Sequence, residues 1–93
     1  MLFVALYSPK PGVSPTQTLS RRMEWKPPEG IKVVAEYWLQ HTHPRTIAVF
    51  EADNYAPMMA VNMAWSDLYD ITVVPAITGE EGLKLAKKMK PKT

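Results

Sequence analysis

The sequence predicts a single α+β domain with the element order β, α, β, β, α, β and a short trailing helix. Three observations predict it. The 93 residues suit one hydrophobic core and leave no room for separate cofactor and substrate domains. Four apolar runs rich in valine, isoleucine and aromatics are interrupted by two segments that carry helix-start signals. The middle two runs are joined by a link so short that they form an antiparallel hairpin.

In chain order, Leu2, Val4 and Leu6 interleave with Phe3, Ala5 and Tyr7, the pattern of a strand buried on both faces. Lys10, Pro11 and Gly12 end it. Ser14, Pro15 and Gln17 supply an N-cap, a proline in the first turn and a capping-box partner, so a helix starts here and runs to about Trp25, with Leu19 and Met23 on one face. Pro27, Pro28 and Gly30 stop it. A strand follows from Ile31 to Gln40, a break at His41 to Pro44, and another strand from Arg45 to Ala52. Asp53 or Asn54 caps a second helix that tolerates Pro57 in its first turn, places Tyr55, Met59 and Met63 at i+4 spacing and ends near Trp65. Residues 71 to 77 make a fourth strand, which Pro75 marks as a sheet edge. Thr78 and Glu81 then open a C-terminal helix, and the lysine-rich residues 83–93 are expected to be a partly mobile basic tail of the one domain, 1–93.

Two βαβ halves with an antiparallel hairpin between them make a ferredoxin-like, split-βαβ sheet with both crossover helices on one face. The opposite face is uncovered in a single chain. A hairpin loop with an even number of residues sets Gln40 against Arg45. Ala35, Tyr37 and Leu39 then share the helix side with Thr46, Ala48 and Phe50, and Val34, Glu36, Trp38, Ile47, Val49 and Glu51 share the other. An odd-length loop turns Glu36 and Glu51 to different faces. An apolar patch of this extent points to an interface or a ligand site, and a small chain with a limited core gains from association. The expectation is a homodimer. The competing reading is that the last helix folds back over the face.

Composition removes several function classes. There is no cysteine, which excludes disulfides, thiolate metal sites and thiol nucleophiles. The net charge of +2 hides an asymmetry: residues 1–82 carry six basic and nine acidic side chains, and five lysines fall in the last ten residues. A folded basic surface for nucleic acid is not expected. No stretch reaches membrane-spanning length and Leu2 to Tyr7 is too short for a signal-peptide core, so a cytoplasmic protein with no membrane partner is expected. Glycine-rich phosphate loops, a nucleophile elbow and calcium loops are absent from the sequence, and no cofactor is expected.

Several segments together resemble a family. Arg21 to Met23, Pro28 to Ile31, Glu36 to Trp38, Phe50 to Asp53, and Trp65-Ser66-Asp67-Leu68-Tyr69-Asp70 running into Val73-Val74-Pro75 resemble a domain-of-unknown-function family in the dimeric α/β-barrel superfamily. The resemblance extends to about Thr78. It implies a dimer in which two sheets pack face to face, and relatives that include cofactor-independent monooxygenases, muconolactone isomerases and stress-responsive proteins.

In the even-loop register Glu36 and Glu51 point into a partly apolar, enclosed face, where burial raises a carboxylate toward a useful general-base pKa. They are the catalytic candidates. The alternative is an ion pair with Arg45 or with a partner chain. Tyr7 and Trp38, with Trp65, are the ligand-binding candidates, suited to stacking on a flat molecule, against a reading of all three as packed core. Met58, Met59 and Met63 read as helix packing. His41 and His43 lie in a loop without a second pair of ligands, and no metal is expected. Three functions compete: a small-molecule binding protein with a planar organic ligand between the sheets, a cofactor-free oxygenase or isomerase, and an oligomeric interaction module without a cavity.

Overall fold

The structure, a computed structural model, describes residues 1–89. Its elements follow the expected order: β1 (Leu2–Pro9), α1 (Pro15–Glu24), β2 (Ile31–Trp38), β3 (Thr46–Ala52), α2 (Ala56–Trp65), β4 (Tyr69–Ala76) and α3 (Gly79–Met89). The four strands form one sheet in the order β2-β3-β1-β4, antiparallel at every junction. This is the α+β, ferredoxin-like arrangement, with β4 at an edge where Pro75 lacks only a bond that no neighbour would accept. Residues 83–89 belong to α3; residues 90–93, the end of the expected mobile tail, lie outside the described residues.

Local chemistry accounts for the element ends. Ser14 and Gln17 close a reciprocal capping box at the start of α1, at 3.2 and 2.8 Å. Gly30 sits at φ +87° in the turn into β2, a conformation that strains any residue with a Cβ. Asn54 accepts a hydrogen bond from the Ala56 amide at 2.9 Å, which starts α2 without a capping side chain on Tyr55 itself.

Phe3, Ala5 and Tyr7 of β1 and Ala48, Phe50 and Ala52 of β3 are buried beneath the helices. Their alternates Leu2, Val4, Leu6, Ile47 and Val49 are only half-buried. Burial of β1 on both faces is therefore incomplete within one chain. α2 packs tightly, with Met58 and Val61 fully buried and Trp65 nearly so. The stripe facing the sheet is Met58, Val61 and Trp65; Tyr55, Met59 and Met63, the expected i+4 set, are exposed. Both sets have helical spacing, and only the entry angle of the chain after β3 decides which one turns inward.

The hairpin register differs from the even-loop expectation. Trp38 pairs with Thr46 and Glu36 with Ala48, and the Leu39 amide donates to the Arg45 carbonyl, so the loop from Gln40 to Pro44 is odd in length. Glu36 and Trp38 consequently lie on the helix side with Ala48, and Ala35 and Tyr37 lie on the open side across from Val49 and Ile47. The register then steps by one residue between Val33 and Ala35. Val34 is the extra residue of this bulge, which lets Ile31 and Val33 share the helix face with Glu36 and Trp38 despite their opposite parity. Glu51 pairs with Lys32 and Leu2 on the open side. The two candidate carboxylates are on opposite faces of the sheet.

Candidate functional site

The helix layer is asymmetric, and the asymmetry makes a cleft. α1 reads PTQTLSRRME and buries only Thr18, whereas α2 buries three large apolar side chains. Beneath α1 the sheet offers small Ala48. A polar helix over a small floor leaves space that a packed interior would fill. The result is a cleft of about 270 Å³, near the lower end of the roughly 300 to 1,000 Å³ seen for small-molecule sites.

The back wall of the cleft is aromatic. Trp25, Trp65, Tyr69 and Tyr7 all line it and follow one another edge to face or tilted: Trp25 to Trp65 at 5.9 Å between ring centroids, Trp65 to Tyr69 at 5.9 Å, Tyr69 to Tyr7 at 5.5 Å. Such pairs add roughly 0.5 to 1.5 kcal/mol each beyond the area they bury. Trp38 lines the cleft from edge strand β2 and is 63% exposed.

An ion pair closes the side between α1 and β2. The Arg22 Nη2 donates to Glu36 Oε1 at 2.8 Å and its Nε to both carboxylate oxygens at 3.1 and 3.2 Å. Trp38 Nε1 donates to Glu36 Oε2 at 2.6 Å. Thr18, Arg22 and Trp25 are spaced to share one face of the helix and its exit, and the Arg22 guanidinium lies 5.6 Å from the Trp25 ring centroid. Next to it, Arg21 reaches the turn after α2, with a fork onto Asp67 at 2.8 and 3.0 Å and a bond to the Ala64 carbonyl at 2.9 Å. The two arginines anchor the last turn of α1 at two points, one over the sheet and one over α2.

These contacts set the protonation states. The Arg22 guanidinium, helped by the Trp38 indole, holds the Glu36 carboxyl below the usual carboxylate range, against an opposing contribution from burial. Burial pushes the Tyr7 phenol far above the ordinary tyrosine range, and the charge of Glu36 and the neighbouring Tyr69 push it further. At neutral pH the cleft thus presents a neutral phenol beside an anionic carboxylate that already accepts several hydrogen bonds. Such a carboxylate is a weak base; the expected upward shift at Glu36 is reversed because its register places it against Arg22.

Of the residues singled out from sequence, Tyr7, Trp38, Trp65 and Glu36 come together around this cleft. Glu51 does not: it is exposed on the far side of the sheet. The cleft lies between α1 and the sheet of one chain, on the face opposite to the one expected to enclose a ligand. His41 and His43 remain in the hairpin loop, where His41 Nδ1 accepts the His43 amide at 3.1 Å. Among the described residues, no group of three or more histidine, aspartate or glutamate side chains gathers as a metal would require. Sequence reasoning passed over Arg22, Trp25 and Tyr69. The available signal was the inward spacing of Thr18, Arg22 and Trp25 on a crossover helix that has no continuous apolar stripe.

No helix among the described residues is long and apolar enough to cross a membrane. Comparison with curated proteins and with solved structures finds no similar chain. A family profile does match, over residues 1–90, which takes in every strand, both arginine forks and the whole lining of the cleft; the chain belongs to the family described as a domain of unknown function, DUF3303.

Proposed function

We propose that the protein binds a small planar organic molecule in the cleft beneath α1. The observation that carries this reading is a cleft of about 270 Å³ walled by Tyr7, Trp25, Trp38, Trp65 and Tyr69, a concave and mostly apolar space with polar groups at Thr18, Arg22, Glu36, Arg45 and Thr46. A flat guest slides between Trp38 and the floor at Ala48, stacking on the indole. Tyr7 lends a neutral hydroxyl as hydrogen-bond partner for a guest oxygen. The Arg22–Glu36 pair sets the width of the opening, because it fixes the height of α1 above β2. The reading also takes the chain as a member of the dimeric α/β-barrel superfamily that its motifs resemble.

Binding is favoured over proton abstraction by one geometric fact. Both oxygens of Glu36 are engaged by Arg22, and one also by Trp38, whereas a general base needs a lone pair facing its substrate and a raised pKa.

Titration of tryptophan fluorescence with 2-naphthol tests the reading. The expected result is saturable quenching, weakened at least about tenfold by Trp38→Ala, the loss of roughly one stacking contact or about 1.4 kcal/mol. Quenching that never saturates, or that Trp38→Ala leaves unchanged, removes the cleft as the site.

A further inference from the structure

We infer that the guest of the cleft is a planar aromatic acid whose carboxylate is received by Arg45. This inference rests on the cleft reading above and names the class of molecule that fits it. The polar groups of the cleft wall are unbalanced: those with partners cancel one another, and those left over can all donate.

The chain has three arginines, and two of them are paired. Arg21 forks onto Asp67 and lies 5.9 Å from the Trp65 ring centroid. Arg22 forks onto Glu36 beside the Trp25 ring. Arg45 is half-buried in the cleft wall, and among the described residues its guanidinium meets neither a carboxylate nor an aromatic ring. Of the two glutamates expected as its partners, Glu36 is taken by Arg22, and Glu51 stands on the far face across from Lys32. A guanidinium drawn out of water loses hydration that an anion returns best. The charged residues of the lining are Arg22, Glu36 and Arg45. With the first two paired, the wall carries one uncompensated positive charge.

Strand register sets further donors beside Arg45. Thr46 pairs with Tyr7 on one side and with Trp38 on the other, so the three form one row across β1, β3 and β2. The Arg45 amide donates to the Tyr7 carbonyl at 2.8 Å, which holds the end of the hairpin against that row. Thr18 uses its hydroxyl on the Pro15 carbonyl at 3.0 Å, whereas the hydroxyls of Thr46 and Tyr7 enter no hydrogen bond among the described residues. Burial keeps the Tyr7 phenol protonated far above neutral pH, so it remains a donor. Ala48, the apolar floor, lies two residues further along β3, about 7 Å from Thr46. A ring resting over Ala48 directs a substituent toward Tyr7, Thr46 and Arg45.

Charge and shape agree on a carboxylate. It is planar like the ring that bears it, and a guanidinium fork donates two parallel bonds to its two oxygens. A neutral phenol leaves the Arg45 charge uncompensated. A cationic guest meets a like charge, and the one carboxylate of the lining, Glu36, is engaged at both oxygens.

Isothermal titration calorimetry of the full chain with 2-naphthoate, 2-naphthol and 2-naphthylmethylammonium tests this, because the three probes share a ring system and differ in charge. The expected result is 2-naphthoate bound at least about tenfold more tightly than 2-naphthol, with the cation weakest. Arg45→Gln is expected to weaken 2-naphthoate at least about tenfold and to change 2-naphthol by less than about threefold. Arg45→Lys, which keeps the charge and loses the fork, retains part of the preference. Either substitution leaves the backbone bonds of residue 45 to Tyr7 and Leu39 in place, and an unchanged far-UV spectrum checks the fold; the comparison of probes on the unaltered protein needs no variant. Saturable 2-naphthol binding with 2-naphthoate no tighter, or a preference for 2-naphthoate that survives Arg45→Gln, overturns the inference and leaves the cleft reading standing. Equal weakening of both probes by Arg45→Gln also overturns it, since the residue then acts as wall alone. Saturation by none of the probes removes the cleft reading and this inference with it.

Discussion

At the residue scale, Glu36 shows how one contact reverses the chemistry that a residue type suggests. A carboxylate in an apolar setting rises in pKa, but one that meets a guanidinium fork and an indole donor falls. The sign of the linkage follows. A group whose folded pKa is depressed contributes stability that is fully present above its unfolded value, about 4.3 for glutamate, and is lost as pH falls through the folded value. Glu36→Gln is therefore expected to lower unfolding free energy at pH 7 by about 1 to 2 kcal/mol, a charge-assisted hydrogen bond discounted because the Arg22 side chain is 36% exposed. In urea unfolding the gap between the two proteins narrows as pH is lowered below about 4. A gap that stays constant with pH would place the effect elsewhere than in the carboxylate charge.

At the element scale, the two crossover helices divide the work. α2 builds the core and α1 holds the cleft open. Met58→Ala is expected to cost about 2 to 5 kcal/mol, because the residue is fully buried and its removal leaves a void. Met63→Ala, at 78% exposed, is expected to stay within about 0.5 kcal/mol of the parent; equal losses in chemical denaturation would contradict the burial pattern. The strands, the caps of α1 and α3 and the edge position of β4 were legible in the sequence because each rests on local chemistry: a serine before a proline, a glutamate three residues after a threonine, a proline in a strand. The face of α2 was not legible, since two methionine-bearing stripes fit the same period. Nor was the face of Glu36. It depends on the parity of the His41–His43 loop and on the bulge at Val34, and no single residue there signals an inserted position. The cleft inherited that gap: Tyr7, Trp38 and Trp65 were recognised by their aromatic character, and the side of the sheet on which they meet became visible only with the register.

At the scale of the whole molecule, the sheet separates two surfaces that share little structure. The cleft is lined from α1, the helix-side residues of the sheet and the ends of α2 and β4; the open face and α3 contribute none of its walls. Effects at sites more than about 7 to 10 Å apart with no common partner add nearly independently. Val74→Glu, 43% exposed on the open face, is accordingly expected to leave unchanged the concentration of 2-naphthol that half-saturates the fluorescence change, which Trp38→Ala raises. The double variant is expected to bind the probe as Trp38→Ala alone does, to within about 0.5 kcal/mol. A departure larger than this would mean that the sheet itself carries a signal between its faces. The candidate carrier would be β2, whose bulge turns Glu36 toward Arg22 while leaving Tyr37 on the open side; Tyr37→Ala would then weaken probe binding from a position that does not line the cleft.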